Sequence, residues 1–265
     1  MAQLAFQGKA LALSNVGLAK IASDLGVHAA EVWTLLAVET AGCGYLADRR
    51  PQILFERHIF HRLTGGQFDD GEISDPTPGG YGQRGAPQYE RLALAISKDR
   101  NAALQSASWG IGQIMGMNYG EAGFDSVDDI VAAMTDSEDT QLLAIADFLQ
   151  STGLRSFLQA HDWTSFARGY NGPNYAVNRY DVKLNAEFRK YSAGVLPDLA
   201  VRAAQLYLTY LGYHPGAIDG IAGEHTMLAL TDWQSDAGIT QSSVIDDACV
   251  AQLCSALSEM STVAA

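Results

Sequence analysis

Residues 29–40 read Ala-Ala-Glu-Val-Trp-Thr-Leu-Leu-Ala-Val-Glu-Thr, and Glu39 near the end of this run governs how the rest of the chain is read. On a helix over 29–40, Val32, Leu36 and Glu39 fall at i, i+4 and i+7 and share one face. A carboxylate that continues an apolar stripe, just ahead of Gly42, is drawn toward burial. Burial disfavours the charged form and raises the pKa, as a general acid working near neutral pH requires. The plainer alternative is an exposed Glu at a frayed helix end.

Two other segments bear on that choice. Ser108-Trp109-Gly110-Ile111-Gly112-Gln113-Ile114-Met115 alternates glycine with apolar residues, leaving backbone that another group can approach closely. Gln113 offers both a donor and an acceptor there. Ala167-Arg168-Gly169-Tyr170-Asn171-Gly172-Pro173 places an aromatic ring beside an amide on a turn that Gly and Pro end abruptly. That pair suits a sugar bearing an N-acetyl group. The ring covers apolar C–H faces and the amide forms hydrogen bonds.

Outward from these segments the pattern is helical. Helices are predicted over 15–25 and 28–40, separated by Gly26 as a stop, and again over 88–105, 126–135, 137–151, 154–160 and beyond Tyr175. Asp136-Ser137-Glu138 supplies a capping-type start for one of them. The β-branched and aromatic run at 52–62 reads as a strand or strand-turn, and a strand over 53–61 would put Leu54, Glu56, His58 and Phe60 on one face. Asp75 to Pro87 is too rich in Gly and Pro for regular structure and reads as an ordered loop or lid. The pattern breaks at Tyr191–Ala200. The expected organisation is therefore a domain over 1–192, a linker over 193–197 and a small module over 198–265.

Composition narrows the function classes. The chain has 265 residues, with 30 acidic against 17 basic side chains and a net charge of −13. This balance argues against nucleic acid, whose phosphates need a surplus of Lys and Arg, and against anionic membrane surfaces. No apolar run is long enough for membrane insertion, and the first residues lack the marks of a signal peptide. Cys43, Cys249 and Cys254 are an odd number without metal-ligand spacing, so neither a disulfide framework nor a zinc site is expected. His58 and His61 likewise read as structural rather than as metal ligands. No cofactor is implied. Arg49, Arg50, Arg57 and Arg62 form a basic cluster, readable either as salt-bridge partners of the abundant acids or as a lure for substrate carboxylates.

Taken together, Glu39-Thr40, the Gly110–Met115 loop and Gly169-Tyr170-Asn171-Gly172 resemble the goose-type lysozyme and soluble lytic transglycosylase superfamily. With Ile53-Leu54-Phe55-Glu56-Arg57-His58-Ile59-Phe60-His61-Arg62, Ser106-Ala107-Ser108-Trp109-Gly110 and Ala167–Pro173, the resemblance sharpens to the N-acetylmuramidase family of modular phage endolysins. It spans roughly residues 20–192. One departure is Gly112, where a bulkier residue is common, and it is expected to alter packing rather than chemistry. The resemblance implies a mainly α, lysozyme-like α+β domain that hydrolyses the β-1,4 bond between N-acetylmuramic acid and N-acetylglucosamine. Glu39 is then the general acid. A second stabilising group is also needed. Glu56 is the first candidate, against the alternative that it braces the fold through an arginine; Asp48 and Glu90 are weaker ones. Ser108, Trp109, Gln113, Tyr170 and Asn171 are the candidate substrate contacts, with Trp109, like Trp163, alternatively a core residue. A lytic transglycosylase using the same acid, or a non-catalytic wall-binding protein, are the competing readings.

The tail, Leu211-Gly212-Tyr213 followed by Gly216-Ala217-Ile218-Asp219-Gly220-Ile221-Ala222-Gly223 and Trp233-Gln234, resembles the three-helix peptidoglycan-binding domain. Tyr213 and Asp219 are its candidate wall contacts, although the Asp-Gly turn is also a structural device. The module is expected to act as a tether, so that its loss weakens attack on whole walls without abolishing it. It carries one basic residue, Arg202, against eight acidic ones, so recognition of the wall is expected to be short-range. The implied partner is bacterial peptidoglycan, engaged by a monomer. The enzyme would be made in the host cytoplasm and act on the periplasmic wall after release through a separate membrane pore.

Overall fold

A computed structural model describes residues 4–39, 42–173 and 175–263. Helix α1 (Asn15–Leu25) starts at Ser14, whose side chain accepts from the Gly17 amide, and stops at Gly26 in the left-handed region. The chain turns there into α2 (Ala29–Glu39). After a loop comes β1 (Ile53–Phe55), then α3 (Arg57–Leu63). The strand foreseen over 53–61 is thus three residues long. Phe55 and Phe60 both go into the core with ring centroids 5.9 Å apart, an arrangement reached by turning into a helix at Glu56 rather than by continued alternation.

An irregular stretch leads to α4 (Pro87–Ile96) and α5 (Arg100–Gln105). These replace the single helix expected over 88–105, because the Asp99 side chain caps a new start by accepting from Ala102 N–H. Strands β2 (Ala107–Trp109) and β3 (Ile114–Met115) form a hairpin and complete an antiparallel sheet of order β1-β2-β3. Ile53 stands opposite Trp109, and Trp109 opposite Ile114. Helices α6 (Val127–Met134), α7 (Glu138–Ser151), α8 (Arg155–Gln159), α9 (Trp163–Asn171) and α10 (Tyr180–Ala193) follow. Helix α10 packs along α2, and α7 along α1, closing a core of Leu, Ile, Phe and Trp side chains around the sheet.

The tail forms α11 (Leu199–Tyr210), α12 (Glu224–Asp236) and α13 (Asp247–Val263). Their core does not stop at the module's sequence boundary. Ala10, Ala12, Cys43 and Tyr45 from the N-terminal part are buried together with Leu206, Leu208, Leu230, Trp233 and Leu253. Ala12 N–H donates to the Tyr207 hydroxyl at 3.1 Å, and Tyr210 O–H donates to the Ala10 carbonyl at 3.1 Å. The chain divides at 193–197 in sequence, but its packing crosses that division. Among the described residues, no single helix is long and apolar enough to cross a membrane.

Candidate active site

A cavity of about 380 Å³ opens between α2, β1, the β2–β3 turn, α9 and the Gly/Pro-rich loop. Val38, in the last turn of α2, lines it, as does Cys43 just beyond the helix. Glu39 lies between them in sequence and closes α2. Its side chain, with Thr40, lies outside the described residues. The Cys43 thiol is pushed up to about 11 by burial and by the negative charge of Glu138, so it stays protonated and is no nucleophile.

Glu56 faces the same cavity, at the junction of β1 and α3. Its amide donates to the Ser106 carbonyl at 2.8 Å, fixing the backbone at the sheet end. Burial raises its pKa above the ordinary carboxylate value, and the charge of Arg91 opposes only part of that rise. His58 Nδ1 stands 3.1 Å from Glu56 Oε2, yet neither atom forms an aligned hydrogen bond among the described residues. Burial, then the charges of Arg62 and Arg57, lower the His58 pKa and favour its neutral form. The proposed brace between Glu56 and an arginine is therefore a long-range influence from Arg91, and no Glu56–arginine ion pair occurs among the described residues.

The hairpin turn supplies the floor. Gly110 takes φ +70°, and an added Cβ there would lie 2.7 Å from Gln141 Cδ, so only glycine suits the position. Gln113 Nε2 donates to the Gly110 carbonyl at 2.8 Å and the Gln52 carbonyl at 3.2 Å, while its Oε1 accepts from Ser108 O–H at 2.9 Å. Gln113 and Ser108 both line the cavity, but their polar groups meet each other and hold the turn in shape. Trp109 is a correction. It is fully buried, donates through Nε1 to the Leu104 carbonyl and packs on Phe6, away from the cavity. Alternation along β2 explains this, since Ser108 and Trp109 must point to opposite faces.

Tyr170 and Asn171 end α9 at the opposite wall. The Tyr170 ring stacks on Phe166 at 5.6 Å, and its hydroxyl donates to the Gly112 carbonyl at 2.8 Å. Gly112 allows this closeness, because a Cβ there would sit 2.4 Å from Ile145 and 3.2 Å from the Tyr170 oxygen.

The basic cluster disperses. Arg50 pairs with Asp48 and covers Tyr89, Arg57 donates to the Gly71 carbonyl and lies near Asp75, and Arg62 reaches Met117. Asp48 is taken up by Arg50, and Glu90 is an exposed residue of α4 that does not line the cavity. The cation that does line it is Arg84, missed in the sequence, on a loop that Gln88 holds by donating to the Tyr81 and Gln83 carbonyls. Its signal was a lone cation between Gly82 and Gly85 in an otherwise neutral turn.

In the tail, Asp219 braces its turn by accepting from Ile221 N–H at 2.9 Å and from Gln205 Nε2 at 3.2 Å. Tyr213 donates to Asp236 at 2.9 Å on the module surface. Among the described residues no cluster of His, Cys, Asp or Glu is placed to hold a metal ion.

Both parts of the chain resemble known proteins. Residues 28–192 match N-acetylmuramidase, described under the family name Muramidase. The chain belongs to the N-acetylmuramidase family. Residues 198–253 of this muramidase match a peptidoglycan binding domain family. Among solved structures it is similar to the crystal structure of the Burkholderia AP3 phage endolysin, at 38% identity and a TM-score of 0.63. That likeness covers 68% of this chain and 71% of the other. No curated protein matches. The fold is thus a lysozyme-like domain followed by a helical peptidoglycan-binding domain.

Proposed function

We propose that this muramidase is an endolysin that hydrolyses the β-1,4 bond between N-acetylmuramic acid and N-acetylglucosamine, with Glu39 as general acid. The observation that carries the proposal is the cavity itself. The last turn of α2, through Val38, and the desolvated Glu56 line one space about 380 Å³ in volume. Glycoside cleavage needs a protonated carboxyl at the leaving oxygen and a second group to stabilise the oxocarbenium-like centre or direct water to it. Glu39 would donate the proton. Glu56, once ionised, would take a proton from the attacking water, with His58 beside it. Tyr170 and Asn171 would seat the N-acetyl sugar, and Arg84 would meet the lactyl or stem-peptide carboxylates. Such an enzyme would be released through a separate pore to act on the periplasmic wall.

The products test the reaction class. Purified peptidoglycan is digested, the fragments are reduced with borohydride, and masses are read. Hydrolysis leaves new muramic acid reducing ends, which become muramitol. Exclusively anhydro products, which borohydride leaves unreduced and which are therefore lighter than the muramitol products by one water and two hydrogens, would instead establish a transglycosylase, and Glu56 would then have no water to activate.

A further inference from the structure

Arg202 is the sole lysine or arginine of the tail, and it does not face the wall. It is 1% exposed and forms a two-pronged pair with Glu138, itself fully buried at the start of α7. Burial alone would favour the neutral forms, but each charge holds the other in place, so the pair remains ionised. Two of its remaining bonds reach one loop, at Gly42 and Gly44, and a third reaches Leu13. Arg202 Nη2 also donates to the Gly42 carbonyl at 2.8 Å, and Glu138 accepts from Gly44 N–H and from Leu13 N–H, each at 2.9 Å. Gly42 takes φ +100°, and a Cβ added there would meet the module's Ile218 carbonyl at 3.4 Å. Gly42 follows Glu39 by three positions, and Cys43 between the two anchored glycines lines the cavity.

We propose that Arg202, together with Glu138, is a positioning residue for Glu39, so that the wall-binding module sets the geometry of the active site as well as its location. The inference rests on Glu39 being the acid. A buried ion pair is weak evidence of stability, since an apolar pair of similar volume often serves as well. Here the charges do something an apolar pair cannot: they bind a carbonyl and an amide of one loop. A small displacement of such a loop is enough to misplace the acid.

The test uses the full-length enzyme on soluble glycan fragments, with wall pull-down and thermal unfolding measured in parallel. Arg202→Lys keeps the charge but loses the fork. Glu138→Met with Arg202→Met keeps the volume and removes both charges. In both, kcat should fall about tenfold or more while KM and wall pull-down stay near wild type. A wild-type kcat in a folded variant, or a loss that only tracks the unfolded fraction, would overturn the proposal. Should both variants fail to fold, hydrogen exchange on the wild type decides: Gly44 N–H should be as protected as the α11 amides. Free exchange at Gly44 beside a protected α11 would overturn it. Failure of the Glu39 reading is distinguishable, because it appears as activity retained in Glu39→Gln with Arg202 intact.

Discussion

Gly112 is the point where the hairpin, α7 and Tyr170 meet, and adding one methyl there has a calculable consequence. Its φ lies outside the left-handed region, so Gly112→Ala meets a steric cost rather than backbone strain. The new Cβ would stand 2.4 Å from both Cγ1 and Cδ1 of Ile145, which is 5% exposed, and 3.2 Å from the Tyr170 hydroxyl. Real carbon contacts do not approach so closely, so the hairpin must move away from α7. Overpacking of this kind costs about 1–3 kcal/mol, or a fall in Tm of roughly 2–12 °C for a chain of this size. The same movement lengthens the Tyr170–Gly112 hydrogen bond, so KM should rise with the loss of stability. Ile145→Ala alone should cost about 2–5 kcal/mol by leaving a cavity. When the two are combined, the methyl introduced by Gly112→Ala occupies part of that cavity, and the double variant should be more stable than the sum of the single effects by about 1–2 kcal/mol. Urea unfolding of all four proteins measures this. An additive cycle, with Gly112→Ala within about 0.5 kcal/mol of wild type, would refute the close approach of Gly112 to α7.

Glu56→Gln should lower activity yet raise stability at neutral pH. Its folded pKa is raised by burial, so protonation favours the folded state. That contribution is present below the unfolded carboxylate pKa and is lost as pH rises through the folded value. The Tm gain of the variant should therefore grow with pH across the weakly acidic range; an equal gain at all pH would contradict this. In the wild type, the acidic limb of kcat/KM should lie above the ordinary carboxylate range and change in the variant. Wall pull-down should depend weakly or inversely on salt, because Arg202 is buried and no lysine or arginine remains on the module surface; strong loss with added salt would count against short-range recognition. Removal of 198–265 should yield protein that is insoluble or inactive even on soluble glycan fragments, since it uncovers Ala10, Ala12 and Tyr45 and strips Glu138 of its arginine. Normal activity on those fragments would show that the module is only a tether.

The parts legible in the sequence were those set by local rules. Gly26 ends α1, Ser137 caps α7, and the Gly/Pro stretch before Pro87 is irregular, because caps and turns act within a few residues. Glu56 at the cavity was legible as well, but on the wrong element. A β-branched and aromatic run reads as a strand until tertiary burial of Phe60 turns it into a helix. Trp109 was misplaced because its loop looked open while its strand face is closed. Least legible was Glu138. In sequence it is an ordinary acid in the first turn of a helix, and nothing local links it to an arginine 64 positions away. That long-range pair is also why a tail that reads as a detachable anchor is packed into the domain it follows.

Glu39→Gln in the full-length enzyme, assayed on purified Gram-negative peptidoglycan beside wall pull-down and thermal unfolding, tests whether Glu39 is the general acid. The substitution keeps the size of the side chain and removes its transferable proton. Nearly all lysis should be lost, with wall binding and fold retained. Substantial residual cleavage by a folded Glu39→Gln variant would contradict that role.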